Sequence, residues 1–274
     1  AALSYNFTEA SALRLAYQMR ISRPSLKQVN PYEFIYIPTI IEKGNPDLSS
    51  ERANKITLTY SNFGRTFGGN IGFEVSSIGN AISQFTYNVE DVTYSTYANI
   101  GHNRSFAVFG LFNWSPLQNL QFSANARLTR QMLSSKSPDL SNAGWNVNYG
   151  ANANYTLPDQ FRLSVYGGQS TRNYNLQGWQ DGWYYYGIAL SKGFLKNEAL
   201  TLTLSANQFL QSKMSFSAYV NTENMINRFT FYNRNWNVGI SLSWNFGSLK
   251  SDVKKTSRRI ENDDKSSVSG QSIM

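Results

Sequence analysis

Residues 236–246 read WNVGISLSWNF, and the strict alternation in that stretch limits what the chain can become more than any other feature. Successive side chains of a β-strand point to opposite faces, so Trp236, Val238, Ile240, Leu242, Trp244 and Phe246 share one side. The other side carries Asn237, Gly239, Ser241, Ser243 and Asn245. One face suits hydrocarbon and the other suits water. About ten residues at ~3.3 Å each, tilted by roughly 40 to 45°, rise about 24 Å, close to the apolar height of a transmembrane β-barrel. The aromatic residues at its ends, Trp236, Trp244 and Phe246, stand where membrane-facing girdles are found.

The same alternation recurs upstream. Leu13, Leu15, Tyr17 and Met19 interleave with Arg14, Ala16, Gln18 and Arg20, and Ile71, Phe73 and Val75 with Asn70, Gly72 and Glu74. Further copies lie at 55–60, 122–129, 145–155, 161–165, 184–190 and 200–204. The stretch 106–114 is strand-like but its facing is ambiguous, because Phe109 and Leu111 oppose Val108 and Phe112. With the opening Leu3, Tyr5 and Phe7, about eleven antiparallel strands are expected. Short turns fall near 8–11, 62–67, 115–119, 158–160 and 196–199, and longer connections at 22–54, 134–143, 171–182 and 211–227. Between them the chain turns at 89–92 between long strands. That asymmetry is the barrel pattern of short turns on one side and long loops on the other. The expected fold is therefore all-β, an antiparallel transmembrane β-barrel over 1–247, followed by a polar periplasmic tail over 248–274.

Composition agrees. Charged residues make up 15% and aromatics 15%, whereas soluble domains carry about 25% charged residues. A mean hydropathy of −0.41 with no long apolar run rules out a transmembrane helix but not a barrel, whose polar and apolar residues alternate. With no cysteine and one histidine, His102, thiolate metal sites are excluded and a histidine-based catalytic triad is hard to assemble; neither a cofactor nor an enzyme is expected. The net charge of +8 is scattered over strands, loops and tail, which argues against nucleic acid and favours phosphate groups of outer-leaflet lipid as partners of the loop cations.

An odd strand number is unusual for a single-chain bacterial barrel, and an open edge cannot face hydrocarbon, so further strands are expected upstream. The connection after the second strand supplies a resemblance. It reads Ser22-Arg23-Pro24, then Asn30-Pro31-Tyr32, then Gly44-Asn45-Pro46-Asp47-Leu48-Ser49-Ser50-Glu51. This resembles TonB-dependent receptors, in which Arg-Pro and Asn-Pro lead into a Gly-Asn-Pro-x-Leu-x-x-Glu box; Ser50 replaces the usual proline. The Ser-x-x-Trp-x-Phe-Gly strand end and the tail residues Val253 to Thr256 and Asn262 to Asp264 are similar to outer-membrane proteins of Bacteroidetes-type bacteria.

The resemblance implies the C-terminal half of a 22-stranded barrel, with the N-terminal barrel half and a plug upstream. It also implies uptake of a scarce nutrient (siderophore, cobalamin, peptide or glycan) driven by TonB through the plug. Outer-membrane lipid, lipopolysaccharide and a surface lipoprotein are the further partners it implies. Arg14, Arg20, Arg23, Glu74 and Arg127 are candidates to face the lumen or plug, although polar residues line barrel lumens in any case. Tyr32, Trp179 and Trp183 are candidate extracellular ligand contacts; the cluster Trp179, Trp183, Tyr184, Tyr185 and Tyr186 reads equally as an interfacial girdle. The competing class is a passive porin or an adhesin-bearing barrel without a plug.

Overall fold

The computed structural model describes residues 1–195, 198–222 and 225–246. The expected tail at 248–274 lies outside them. Strands follow one another almost without interruption: β1 (Ala2–Asn6), β2 (Ser11–Ser22), the short helix α1 (Leu26–Val29), β3 (Glu33–Ile37), β4 (Ile40–Lys43), β5 (Glu51–Phe63), β6 (Phe67–Val89) and β7 (Val92–Leu117). Then come β8 (Leu120–Lys136), β9 (Asp139–Thr156), β10 (Phe161–Ser170), β11 (Asn173–Asn175), β12 (Gly178–Gln180), β13 (Tyr184–Phe194), β14 (Leu200–Asn207), β15 (Met214–Asn221), β16 (Ile226–Asn233) and β17 (Asn237–Trp244). No helix among the described residues is long and apolar enough to cross a membrane, which says nothing of strands.

The main sheet is an antiparallel meander in the order β1-β2-β5-β6-β7-β8-β9-β10-β13-β14-β17, with β1 and β17 as its two edges. Its register aligns the apolar positions of neighbouring strands. Leu3 pairs with Leu15, then in turn Leu58, Phe73, Val108, Leu128 and Val147. Tyr155 continues through Leu163, Leu190 and Leu204 to Ile240. A one-residue slip at any strand would move its apolar set to the opposite face, so the alternation itself fixes these pairings.

Those apolar side chains are not covered by protein. Phe73 is 45% exposed, Val108 47% and Leu242 66%, while the buried hydrophobic residues among those described are only Ala81, Tyr97, Ala107 and Leu176. A soluble monomer does not leave so large an apolar face in water, so hydrocarbon is its natural cover. Trp236 and Phe246 flank β17 and, with Trp244, remain exposed on the side its apolar residues occupy. The opposite face of the sheet is polar, with Arg14, Thr59, Glu74, Thr129 and Asn146 on it.

The ambiguous stretch resolves cleanly. Phe106, Val108, Phe112 and Trp114 join the apolar face, whereas Phe109 lies on the polar one, opposite Gly72. A Cβ on Gly72 would come within 2.3 Å of the Phe109 ring, so the glycine is what lets that ring lie flat on the wall.

Several connections expected to be loops are ordered strands. In place of a loop at 134–143, β8 and β9 run to Lys136 and from Asp139. The connection 22–54 contains α1 and a β3–β4 hairpin whose β4 pairs parallel with β7, Ile40 opposite Thr93. Segments 171–182 and 211–227 contribute β11, β12, β15 and the start of β16, which form a second sheet in the order β11-β12-β15-β16. Polar and turn-forming residues disguised these short strands, although Met214, Phe216, Ala218 and Val220 do alternate. All these additions gather at one end of the wall, beyond which the β6–β7 hairpin also extends.

Candidate functional site

Two polar arrangements stand out, one on the wall and one at its loop-bearing end. On the wall, the register places Thr57, Glu74, Ala107 and Thr129 in one row of the polar face. Glu74 is largely buried there, ion-paired to Arg127 and 3.2 Å from the Lys55 ammonium. The Arg127 guanidinium also sits 5.5 Å from the centre of the Phe109 ring. Of the expected lumen residues, Glu74 and Arg127 are thus brought together, and Lys55 and Phe109 complete the group. Arg14 stands exposed on the same face, opposite Thr59, and Arg20 lies at the loop end of β2 opposite Ala53. Arg23 follows the end of β2, outside the wall rows.

The second arrangement is a cavity of about 310 Å³ at the loop end. The β3–β4 hairpin and the distal parts of β6 and β7 form one side, including Ile40, Glu42, Thr86 and Tyr97. The second sheet forms the other, with Trp179, Ala218, Val220, Phe229 and Phe231. Ala218 opposes Phe229 and Val220 opposes Asn227 in the β15–β16 register, so one face of that sheet looks into the gap.

Its polar groups are tied to one another. Glu42 accepts from the Tyr36 hydroxyl at 2.6 Å and the Tyr97 hydroxyl at 2.8 Å, and pairs with the Lys27 ammonium at 2.9 Å. Burial pushes the Glu42 carboxyl up, but the bonds from Tyr36, Lys27 and Tyr97, with the Lys27 charge, outweigh it and hold the group below its ordinary value. Tyr36 is pushed up to about 12, chiefly because its hydroxyl donates to that carboxylate, with burial and the negative charge adding to the effect. Gln177 accepts from the Thr86 N–H and donates to the Thr86 carbonyl, both at 2.8 Å, bonding like a short piece of strand. With these donors and acceptors satisfied internally, the surface left to a visitor is mainly aromatic and aliphatic.

The Gly-Asn-Pro box has a structural role in this arrangement. The Gly44 N–H donates to the Asn30 carbonyl at 2.9 Å, and a Cβ at Gly44 would fall 2.5 Å from that same oxygen. The Asn45 side chain donates to the Tyr97 carbonyl at 3.0 Å, and Glu51 accepts from the Ile82 N–H at 2.6 Å. The box therefore fastens the hairpin to β6 and β7 and carries Glu42 to the cavity.

Of the expected ligand contacts, Trp179 lines the cavity, stacked on Tyr219 at 5.7 Å and capped by the Arg172 guanidinium at 3.8 Å. Arg172 is held in turn by Asp181 at 3.2 Å. Trp183 is outside, exposed and tilted against Tyr185 at 5.4 Å. Tyr32 is also outside, exposed, edge-on to Phe34. The aromatic run itself is divided: Tyr184 and Tyr186 lie opposite Gln169 and Gly167 on the apolar side, and Tyr185 faces the other way. Glu42, Tyr97, Gln177, Phe229 and Phe231 were not legible as a site, because 55 to 189 residues separate Glu42 from the other four; only the box hinted that its hairpin was anchored.

No group of three or more His, Cys, Asp or Glu side chains suited to a metal occurs among the described residues. His102 lies on β7, its Nε2 accepting from Arg104 Nε at 3.1 Å. The aromatic and aliphatic lining of the cavity offers a ligand stacking and apolar contact.

In sequence, residues 1–244 match the model of the outer membrane protein beta-barrel family, and no curated protein matches the chain. Among solved structures it is similar to the copper transporter OprC, with a TM-score of 0.61 at 9% identity over 89% of this chain and 38% of that one. It is also similar to the outer membrane transporter YddB from Escherichia coli, with a TM-score of 0.52 at 10% identity over 87% of this chain and 39% of that one. At such identities the likeness is one of fold, and the chain spans under two-fifths of either structure. With an antiparallel wall suited to hydrocarbon on one face and a family match running almost end to end, the chain belongs to the outer membrane protein beta-barrel family of the bacterial outer membrane.

Proposed function

We propose that the chain is the C-terminal half of a TonB-dependent uptake receptor, in which residues 1–247 supply half of a 22-stranded wall and 248–274 a periplasmic tail. The observation that carries this reading is the open wall. Its edges β1 and β17 do not pair with each other, and in hydrocarbon each unpaired backbone group costs several kcal/mol. Further strands would close it, and a barrel of the proposed 22 strands would enclose a lumen wide enough to hold a plug. The polar face bearing Arg14, Glu74 and Arg127 would line that lumen, and the cavity at the extracellular end would take up the nutrient, with Trp179 among its contacts. Arg20, Arg23, Tyr32 and Trp183 stand around the same end as secondary contacts with plug, ligand or a surface lipoprotein. The resemblance of the strand end and tail supports an origin in Bacteroidetes-type bacteria.

Deleting this gene and separately deleting TonB in the native organism should cause the same loss of growth on one limiting nutrient. Full growth without TonB on a nutrient that still requires this gene would refute the active-transport reading. It would leave a passive porin in its place.

A further inference from the structure

On the apolar side of the wall, the chemistry changes abruptly beyond Phe106 on β7 and Leu128 on β8, on the way toward their loop ends. The outward residues of β7 run Trp114, Phe112, Gly110, Val108, Phe106 and then Arg104; those of β8 run Phe122, Ala124, Ala126, Leu128 and then Arg130. Phe106 pairs with Arg130 and Arg104 with Met132. The two arginines are therefore diagonal neighbours on one face, about 7 to 8 Å apart at the backbone and within reach of each other's side chains.

Neither has a carboxylate partner among the described residues. The nearest acid in the β8–β9 register, Asp139 at the tip, stands opposite Lys136 instead. Arg130 lies 5.6 Å from the centre of the Trp145 ring, its cross-strand neighbour, and Trp145 is exposed at the loop-side end of the apolar residues of β9. Arg104 commits its Nε to His102, leaving its two terminal nitrogens directed elsewhere.

Two adjacent like charges repel, and an arginine on this face is far less costly near the interface than at the bilayer midplane. An interfacial tryptophan beside Arg130 marks the headgroup level. At that level the abundant anion is the lipid phosphate, and the planar forks of two arginines suit phosphate oxygens. We propose that Arg104 and Arg130, above Trp145, form a docking site on the outer surface of the wall for the phosphate groups of an anionic outer-leaflet lipid. The site is independent of any transported nutrient.

The full-length protein, purified in neutral detergent, tests this by native mass spectrometry with bisphosphorylated lipid A, dephosphorylated lipid A and inorganic phosphate. Wild type should retain one bisphosphorylated lipid. Arg104→Gln alone should weaken retention about tenfold and Arg104→Gln with Arg130→Gln about a hundredfold, in line with charge-assisted hydrogen bonds. Arg14→Gln, on the polar face, should change nothing. Equal retention by wild type and the double variant, or of the two lipid forms, would overturn the proposal. So would binding of inorganic phosphate with the affinity of the lipid, which would make free phosphate the ligand. The double variant removes a repulsion and is expected to fold, checked by its heat-modifiable gel migration; the single variant gives the same test with one charge left.

Discussion

Placing an arginine at Leu242 asks directly which face of the wall meets hydrocarbon. Leu242 lies on β17 opposite Leu202, and Ser243 opposite Thr201, so the two neighbouring residues occupy opposite faces of the same strand. The midpoint between Trp236 and Phe246 is Ser241; one residue along a strand tilted by about 40 to 45° moves roughly 2.5 Å in depth, so Leu242 sits near the bilayer centre. Leu242→Arg should lower folding stability by about 2 to 4 kcal/mol, the cost of arginine near the midplane. Ser243→Arg faces the polar side and should cost under about 1 kcal/mol. Trp244→Arg, farther from the centre, should fall between them. The measurement is the urea dependence of folding of the full-length protein into phospholipid vesicles, read by tryptophan fluorescence. Equal costs at Leu242 and Ser243, or a larger one at Ser243, would mean that the facing of β17, and with it the facing of every strand tied to it by register, is reversed.

Gly72→Ala should displace the Phe109 ring and cost about 1 to 3 kcal/mol in the same vesicle assay, whereas Gly79→Ala, where a Cβ meets nothing, should be tolerated. Glu74→Gln leaves Lys55 and Arg127 side by side without their shared carboxylate; because both cations are partly exposed, a loss of about 1 to 2 kcal/mol is expected. Gln177→Ala strands the Thr86 N–H and carbonyl and should speed amide exchange across β11 and β12, leaving β7–β8 exchange unchanged. For Glu42, whose carboxyl is held below its ordinary value of 4.5, the stabilising contribution is complete above that value and lost as pH falls through the lowered one. Exchange protection of β3–β4 should therefore persist through mild acid and fail only at lower pH, and Glu42→Gln should remove that pH dependence.

The wall was written in the sequence because a half-lipid, half-water strand has a period of two, and each of its residues reports its own face. Trp236 to Phe246, Trp145 to Tyr155 and Leu13 to Met19 needed no neighbours to be read, and a register error would have turned each of them inside out. Where that local code faltered, at 106–114, two large residues stood on the polar face, and only Gly72 beneath Phe109 explains how the wall accommodates one of them. The cavity could not be read the same way. Glu42, Gln177 and Phe229 have ordinary neighbours in sequence and meet only because the box at Gly44–Glu51, the extended β6–β7 hairpin and the second sheet fold over one another. Alternation along a strand is a local property that the chain carries by itself. The meeting of distant loops depends on hydrogen bonds and packing between segments, and those exist only once the wall has brought the segments to the same end.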